Sequence, residues 1–330
     1  MPVASRKWVP LAVLAVFLAA LPGIAEMLGD RYLVSLFSRL LIYALVAVSL
    51  DLILGYGGMV SFGHAAFFGV GAYTVAILSF HGFEGTPFLE WPLRIEGSTN
   101  ALVTLPAAAL CAAIFALIIG SLSLRTTGMH FIMITLAFAQ MLYFLYISLE
   151  RYGGDDGLSL YSRNDLPGLD LSDDGNFYYL CLGVLSISLF LGERLINSRF
   201  GQVIQGIREN ERRMLALGFP VYRYRLACFV IAGGIAGLGG GLIANQTEFV
   251  SPGLMHWTQS GEILVMVLLG GMGTLFGPLL GALVFLLMEE ILTGITEHWM
   301  VIMGPFLIGV VLYTRGGIYG LITGQEKAGG

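Results

Sequence analysis

Charge is what this sequence has least of. Asp, Glu, Lys and Arg make up 12% of its 330 residues, about half the share of an ordinary soluble domain. Apolar residues make up 56%, too many to hide in one aqueous core. Cysteine is scarce as well. Cys111, Cys181 and Cys228 form an odd, widely spaced set inside apolar runs, which argues against a disulfide framework or a cysteine metal site. They read as small packing residues. No phosphate-binding loop is present, so the chain is not expected to hydrolyse ATP unaided. The net charge of −5 argues against a nucleic-acid partner, which would need clustered positive charge. No nucleophile–base pair or metal-ligand spacing is legible, so catalytic, cofactor-binding and metal-binding residues are all expected to be absent and the chain is not read as an enzyme.

What the sequence does have is apolar runs near twenty residues, recurring along almost its whole length. They predict an all-α polytopic membrane protein of about ten transmembrane helices in a single domain over residues 1–330. The predicted spans are 8–28, 32–54, 63–80, 101–121, 128–149, 176–192, 224–245, 261–272, 276–293 and 298–314. All but 261–272 approach the roughly 20 residues that cross a bilayer. That short segment reads as a half-helix, or as one that borrows residues from 254–260. The first run also resembles a signal peptide, with Gly23 and Ala25 as a small-residue cleavage site. A retained helix is preferred, because the run extends to Leu28.

Basic residues in short loops set orientation. Arg6 and Lys7 place the N-terminus inside. Residues 193–225 hold Arg194, Arg199, Arg208, Arg212, Arg213, Arg223 and Arg225, seven of the 17 Lys and Arg residues, so this loop is expected in the cytoplasm. Arg125, Arg315 and Lys327 fall on the same side, which puts the C-terminus inside too. The acidic stretches 81–100 and 150–175 alternate with these and fall outside.

Glycine marks two breaks, GYGGMVSFG from Gly55 to Gly63 and GGMGTLFG from Gly270 to Gly277. Each is open to two readings. One is non-helical backbone at membrane depth, tolerated only inside protein or along a wet cavity and often found near a transporter's substrate. The other is a tight turn or a close helix contact through small residues. Gly57, Gly58, Gly270 and Gly271 are therefore candidate pathway residues. Asp51 joins them as an ionisable residue near the inner end of its span, although it also suits a cap on the break at Gly55. His64 either lines the pathway or caps the next helix through a ring nitrogen. Thr135 and Gln140 are candidates whose simpler role is hydrogen bonding between helices.

The basic loop is patterned. Val203, Ile204 and Ile207 recur at helical spacing, as do Met214, Leu215 and Leu217. Gly218 then ends the pattern as a C-cap glycine does, with Pro220 beyond it. Short amphipathic helices joined by a tight turn suit docking to a cytoplasmic partner.

Here the sequence resembles a known family, the branched-chain amino acid permeases of ABC importers (the LivM type). LGYGGMVSFGHAAFFGVGAY (54–73) resembles that family's first glycine-rich segment, and LRTTGMHFIMITLAFAQM (124–141) its central helix start. GGDDGLS (153–159) resembles its external turn. GQVIQGIRENERRMLALGFPVYRYRLACFVIAGGIAGLGGGL (201–242) is similar to its coupling segment. FVSPG (249–253) and VLLGGMG (267–273) follow in family order. Two departures stand out. Arg212 and Arg213 occupy places where Glu and Ala are usual, and Asp155-Asp156 stands where Pro-Asn or similar is usual.

The resemblance implies an ABC-importer permease fold with a coupling loop at 193–225. It implies transport of branched-chain or other small amino acids by alternating access, in the bacterial inner membrane. The implied partners are a second, non-identical permease subunit, two cytoplasmic ATPases that bind the ATP, and a periplasmic binding protein. Gly201, Ile207, Arg208, Glu209, Asn210, Glu211, Leu217 and Gly218 are the implied ATPase-coupling residues. A urea or short-amide ABC permease, and an ion-coupled secondary transporter, are the alternatives that the residues leave open.

Overall fold

The computed structural model describes residues 5–89, 95–296, 298–313 and 316–323. Glu90, Arg315 and Lys327, which bear on orientation, lie outside the described residues. The first helices are α1 (Ser5–Leu28), α2 (Arg31–Asp51), α3 (His64–Glu84), α4 (Ala101–Ser123), α5 (Met129–Ile147) and α6 (Asp174–Asn197). Two short helices come next, α7 (Arg199–Glu209) and α8 (Glu211–Ala216), and then α9 (Val221–Thr247), α10 (Trp257–Gly270), α11 (Gly277–Thr293), α12 (Trp299–Tyr313) and α13 (Gly317–Thr323). Asp51 leads into a π-helical turn, Leu52–Tyr56. Short strands β1 (Pro87–Leu89) and β2 (Ile95–Glu96) pair, as do β3 (Leu158–Ser159) and β4 (Phe249–Val250).

Among the described residues six helices are long and apolar enough to cross a bilayer: Tyr32–Tyr56, His64–Glu84, Ala101–Ser123, Met129–Ile147, Asp174–Asn197 and Val221–Thr247. The expected count of about ten is not reached by length and composition alone. Glycine and proline cut the C-terminal apolar stretch into shorter pieces, α10 with 14 residues, α11 with 17 and α12 with 15. α10 does borrow upstream residues, and still spans only about 21 Å at 1.5 Å per residue.

Polar residues start these helices where their first amides need acceptors. Asp30 Oδ1 accepts from Tyr32 N at 3.0 Å, Asn100 Oδ1 from Leu102 N at 2.9 Å and Asp173 Oδ2 from Asn176 N at 3.1 Å. α3 and α10 differ, for neither N-cap residue supplies a side-chain acceptor.

The centre is built on α9, packed against α3, α4 and α2. Its glycines allow backbone to meet backbone. A Cβ at Gly237 would lie 2.3 Å from Ala112 Cβ and 2.8 Å from Ala108 O. Ala108, Ala112 and Ala116 stand one turn apart on α4 and are all fully buried. Close contact between small residues replaces the missing hydrophobic drive inside a lipid environment.

The connections gather at two ends. At one end Leu158 pairs with Val250, Asn164 N donates to Asn245 Oδ1 at 2.8 Å, and Asp165 N donates to Thr99 O at 2.8 Å. Two sequence motifs, GGDDGLS and FVSPG, thus meet as a strand pair. Arg163 joins the same end, 2.7 Å from Asp174 and 3.7 Å from Glu248. At the other end lie both glycine breaks, the α4–α5 turn and the basic helices α7 and α8. Tyr222 Oη there donates to Ser121 O at 2.8 Å. The acidic and basic loops therefore sort to opposite ends, as the alternation of charge anticipates.

Candidate functional site: a junction of the basic helices with both glycine breaks

α7 and α8 are short helices with well-defined ends. Ser198 Oγ accepts from Gly201 N at 3.3 Å, and Asn210 Oδ1 accepts from Arg213 N at 3.0 Å. Gly201 lets α7 fold back on α6, since a Cβ there would lie 2.2 Å from Ile196 O. Gly218 has φ +85° and closes α8, with its N–H donating to Leu215 O at 2.9 Å. Glu211 Oε2 accepts from Arg225 Nη2 at 2.9 Å and ties the pair to α9.

The loop's apolar residues divide. Val203, Ile204, Ile207 and Met214 are buried against the chain's own helices, whereas Leu215 and Leu217 are 55% and 66% exposed. Ile207 is thus taken up inside, and a docking partner would meet Leu215 and Leu217 instead. Glu209 is also exposed.

Arg208 is exposed, but its side chain lies along the first glycine break. Its stem lies on Gly58, where a Cβ would be 2.9 Å from Arg208 Cγ. Its Nη1 donates to Gly55 O in the π turn. The wide turn leaves carbonyls that an α-helix would have used, and each finds a donor. Cys228 Sγ reaches Leu52 O at 3.5 Å and Met59 N reaches Ile53 O at 2.8 Å, while Leu54 O keeps its ordinary helical donor, Gly58 N at 3.1 Å. Arg208 serves Gly55 O. A charged side chain from a helix of the basic loop therefore completes the backbone bonding of a membrane helix.

Asp51 closes the same junction from the other side. It is 1% exposed, and its Oδ1 accepts from Gly273 N at 2.9 Å. It caps the second glycine break rather than the one next to it in sequence. A Cβ at Gly55 would lie 2.0 Å from Asp51 Oδ1 and 2.3 Å from Gly273 N, and one at Gly273 would lie 3.3 Å from Arg208 Nη1. Asp51, Gly55, Gly58, Gly273 and Arg208 thus meet at one point, although they come from three separate stretches of sequence. Gly57 sits on Ile53 O, and Gly270 and Gly271 pack on Gly277 and Gly316 backbone.

The first break is re-entrant. His64, the first residue of α3, is fully buried with Nε2 2.7 Å from Ser49 Oγ. Ser49 lies about 10 Å back along α2 from Tyr56 at 1.5 Å per residue. Residues 57–63 therefore climb back into the membrane domain before α3 begins. Ala65 N donates to Ser260 Oγ at 3.0 Å, so a side chain of α10 serves the uncapped start of α3. His64 caps no helix through its ring. It fastens α3 to α2 in the interior and stacks edge-on against Phe67.

Thr135 and Gln140 differ from expectation too. The Thr135 hydroxyl donates to Ile132 O at 2.9 Å within its own helix. Its part in the site is its backbone carbonyl, against which Gly63 lies so closely that a Cβ would be 2.7 Å away. Gln140 stands apart from the junction, and its buried Nε2 meets no acceptor among the described residues. Ser49, Ser260 and Cys228 escape a reading of the sequence, because a lone hydroxyl or thiol in an apolar run carries no spacing signal.

Comparisons with known proteins bear on the family of the chain. Residues 32–313 match the family model described as branched-chain amino acid transport system / permease component. The chain is 27% identical over 322 residues to the high-affinity branched-chain amino acid transport system permease protein LivM of Escherichia coli, covering 90% of this chain and 72% of that one. It is 25% identical over 279 residues to a probable LivM of Methanocaldococcus jannaschii, covering 76% and 78%. It is also 24% identical over 296 residues to LivH of E. coli, covering 84% and 91%. No solved structure matches the chain. With the family model spanning both glycine breaks, the basic helices and the helices that hold them, this chain belongs to the branched-chain amino acid transport system permease component family.

Proposed function

We propose that this chain is a permease subunit of an ABC importer for branched-chain amino acids, driven by separate ATPase subunits through the helices α7 and α8. The observation that carries this reading is the junction at Arg208. The chain has no phosphate-binding loop, so energy must enter through a protein contact, and Arg208 links the basic helices directly to both glycine breaks. Residues 193–225 act as the coupling loop of a single permease domain. Glu209, Arg212, Arg213, Leu215 and Leu217, exposed on that loop, meet the ATPase. Burial of the two leucines supplies affinity at about 25 cal/mol per Å², and the charges set register.

The shorter helices complete about ten membrane segments. The basic end faces the cytoplasm, and both termini lie there. The chain matches both LivM and LivH of one organism, which supports a second, non-identical permease as its partner. ATP is bound by two cytoplasmic ATPases, and a periplasmic binding protein delivers the substrate.

Purification of the tagged chain after co-expression with the genes beside it tests this. Recovery of a P-loop ATPase and a second permease, with ATP-dependent leucine uptake in vesicles, is the expected result. Leucine uptake driven by an ion gradient without ATP would contradict it.

A further inference from the structure

A second polar cluster lies away from the junction, where α2, α10 and α11 meet. Arg39 Nη2 is 3.6 Å from Glu289 Oε1, and the Arg39 guanidinium lies over the Tyr43 ring at 5.7 Å. Tyr43 Oη donates to Gln259 Oε1 at 3.3 Å, and Gln259 Nε2 donates to Glu262 Oε2 at 2.8 Å. One guanidinium and two carboxylates are thus held around a neutral Tyr–Gln scaffold.

Depth makes this cluster unusual. Arg39 lies about 18 Å along α2 from Asp51, Glu262 about 12 Å along α10 from Gly270, and Glu289 about 18 Å along α11 from Gly277, at 1.5 Å per residue. From the opposite helix ends the distances are shorter, about 12 Å from Arg31 to Arg39, about 8 Å from Trp257 to Glu262 and about 6 Å from Glu289 to Thr293, so the three charges lie within the helical domain in the half away from the junction. They are not sealed in. The Arg39 and Glu289 side chains are 39% and 24% exposed. Charges at that depth do not face lipid; they face a wet cavity or another protein. Residues 252–256, a short 3-10 turn and an extended His256, pack inside the protein with Pro252 and Met255 buried, so it is the partial exposure of Arg39 and Glu289 that opens the cluster to a cavity.

We propose that Arg39, Glu262 and Glu289 form a subsite within the helical domain, in the half away from the junction, for the zwitterionic head group of an α-amino acid. This rests on the importer reading above and adds where the substrate is held. The Arg39–Glu289 separation exceeds the roughly 2.7–2.9 Å of a charge-assisted hydrogen bond. It is a loose pair into which a zwitterion inserts. The substrate carboxylate takes the guanidinium, and its ammonium takes Glu289 and Glu262. The side chain of the amino acid needs no charged partner, so the subsite reads the head group common to the whole class.

The test uses the complete complex, reconstituted with its ATPases, second permease and binding protein. Labelled leucine uptake and ATP hydrolysis stimulated by the loaded binding protein are measured together for Glu262→Gln/Glu289→Gln and for Arg39→Gln. Uptake is expected to fall about tenfold or more, the size of a lost charged contact, while the complex stays assembled and hydrolysis remains stimulated. Arg39→Lys and the two Asp replacements should recover part of the uptake. Unsubstituted-level uptake in the Gln variants would overturn the subsite. So would release of the second permease, which would assign the charges to the subunit contact, or equal loss of hydrolysis and uptake, which would assign them to coupling. Absence of leucine uptake by the unsubstituted complex is a different failure, that of the importer reading itself.

Discussion

Residues 55–63 and 270–277 each end one helix on glycine and start another, yet their backbones take opposite courses. The first climbs back into the membrane domain and begins α3 level with Ser49, held by side chains: Ser49 on His64, Ser260 on Ala65 and Arg208 on Gly55. The second stays a compact turn in which glycine backbone packs on glycine backbone, with the Asp51 carboxylate on Gly273 N and the Thr274 hydroxyl on Gly271 O. A Cβ at Gly270 would lie 1.9 Å from Gly277 O, and one at Gly281 would lie 1.9 Å from Met266 O. The difference teaches that a glycine-rich run does not announce its own geometry. Polar side chains from three other elements hold the first break, and the tightest glycine packing, at Gly270 and Gly277, holds the second. Asp51 joins them, reaching from the base of the first to the amide of Gly273 in the second.

The largest effect is expected where close packing leaves no room. Gly270→Leu drives a side chain into the start of α11, and the protein should fail to accumulate in the membrane. Gly57→Leu meets the Ile53 carbonyl and a movable Met59 end, and should be tolerated better. Immunoblots of membrane fractions check the order; equal levels of both variants would erase the contrast between the breaks.

Asp51 comes next. Asp51→Leu leaves the Gly273 N–H buried without its acceptor, a cost of about 1–3 kcal/mol, and uptake should fall steeply. Asp51→Asn keeps an oxygen for that amide and should lose less. Thermal unfolding of the purified complex, read beside uptake, separates the two; indistinguishable Leu and Asn variants would remove the cap from the account.

The smallest effect concerns Gly218, which has φ +85° and no neighbour within 4 Å of a built Cβ. Gly218→Val therefore meets strain and no clash, about 1–2 kcal/mol. Membrane insertion should be normal while stimulated ATP hydrolysis declines. Unchanged hydrolysis would show that the α8 turn does not shape the docking face.

Much of the helix pattern was legible in the sequence, because apolar runs and caps act locally. The starts and ends of α4, α5 and α11 fall within two residues of the predicted limits. The junction was legible only in parts. Asp51, the glycines and Arg208 each stand out, but nothing in their spacing says that they meet. Arg208 sits in a basic loop and reads as a group for a partner. Its guanidinium instead reaches Gly55 O, which the π turn at 52–56 frees, and a π turn has no composition signal here. His64 reads as a capping or pathway residue, since its partner Ser49 is an ordinary hydroxyl within an apolar run. The cluster at Arg39 and Glu262 has a visible cue, charge inside an apolar stretch, but only the packing of α10 on α2 brings the two together.

The central claim is that motion of α7 reaches the membrane helices through Arg208. Its most direct measurement is leucine imported per ATP hydrolysed by the reconstituted complex carrying Arg208→Ala, beside Arg208→Lys. The account predicts continued hydrolysis with about a tenfold fall in that ratio for Ala, the scale of one charged hydrogen bond, and a smaller fall for Lys, which retains a donor. An unchanged ratio in Arg208→Ala would contradict it.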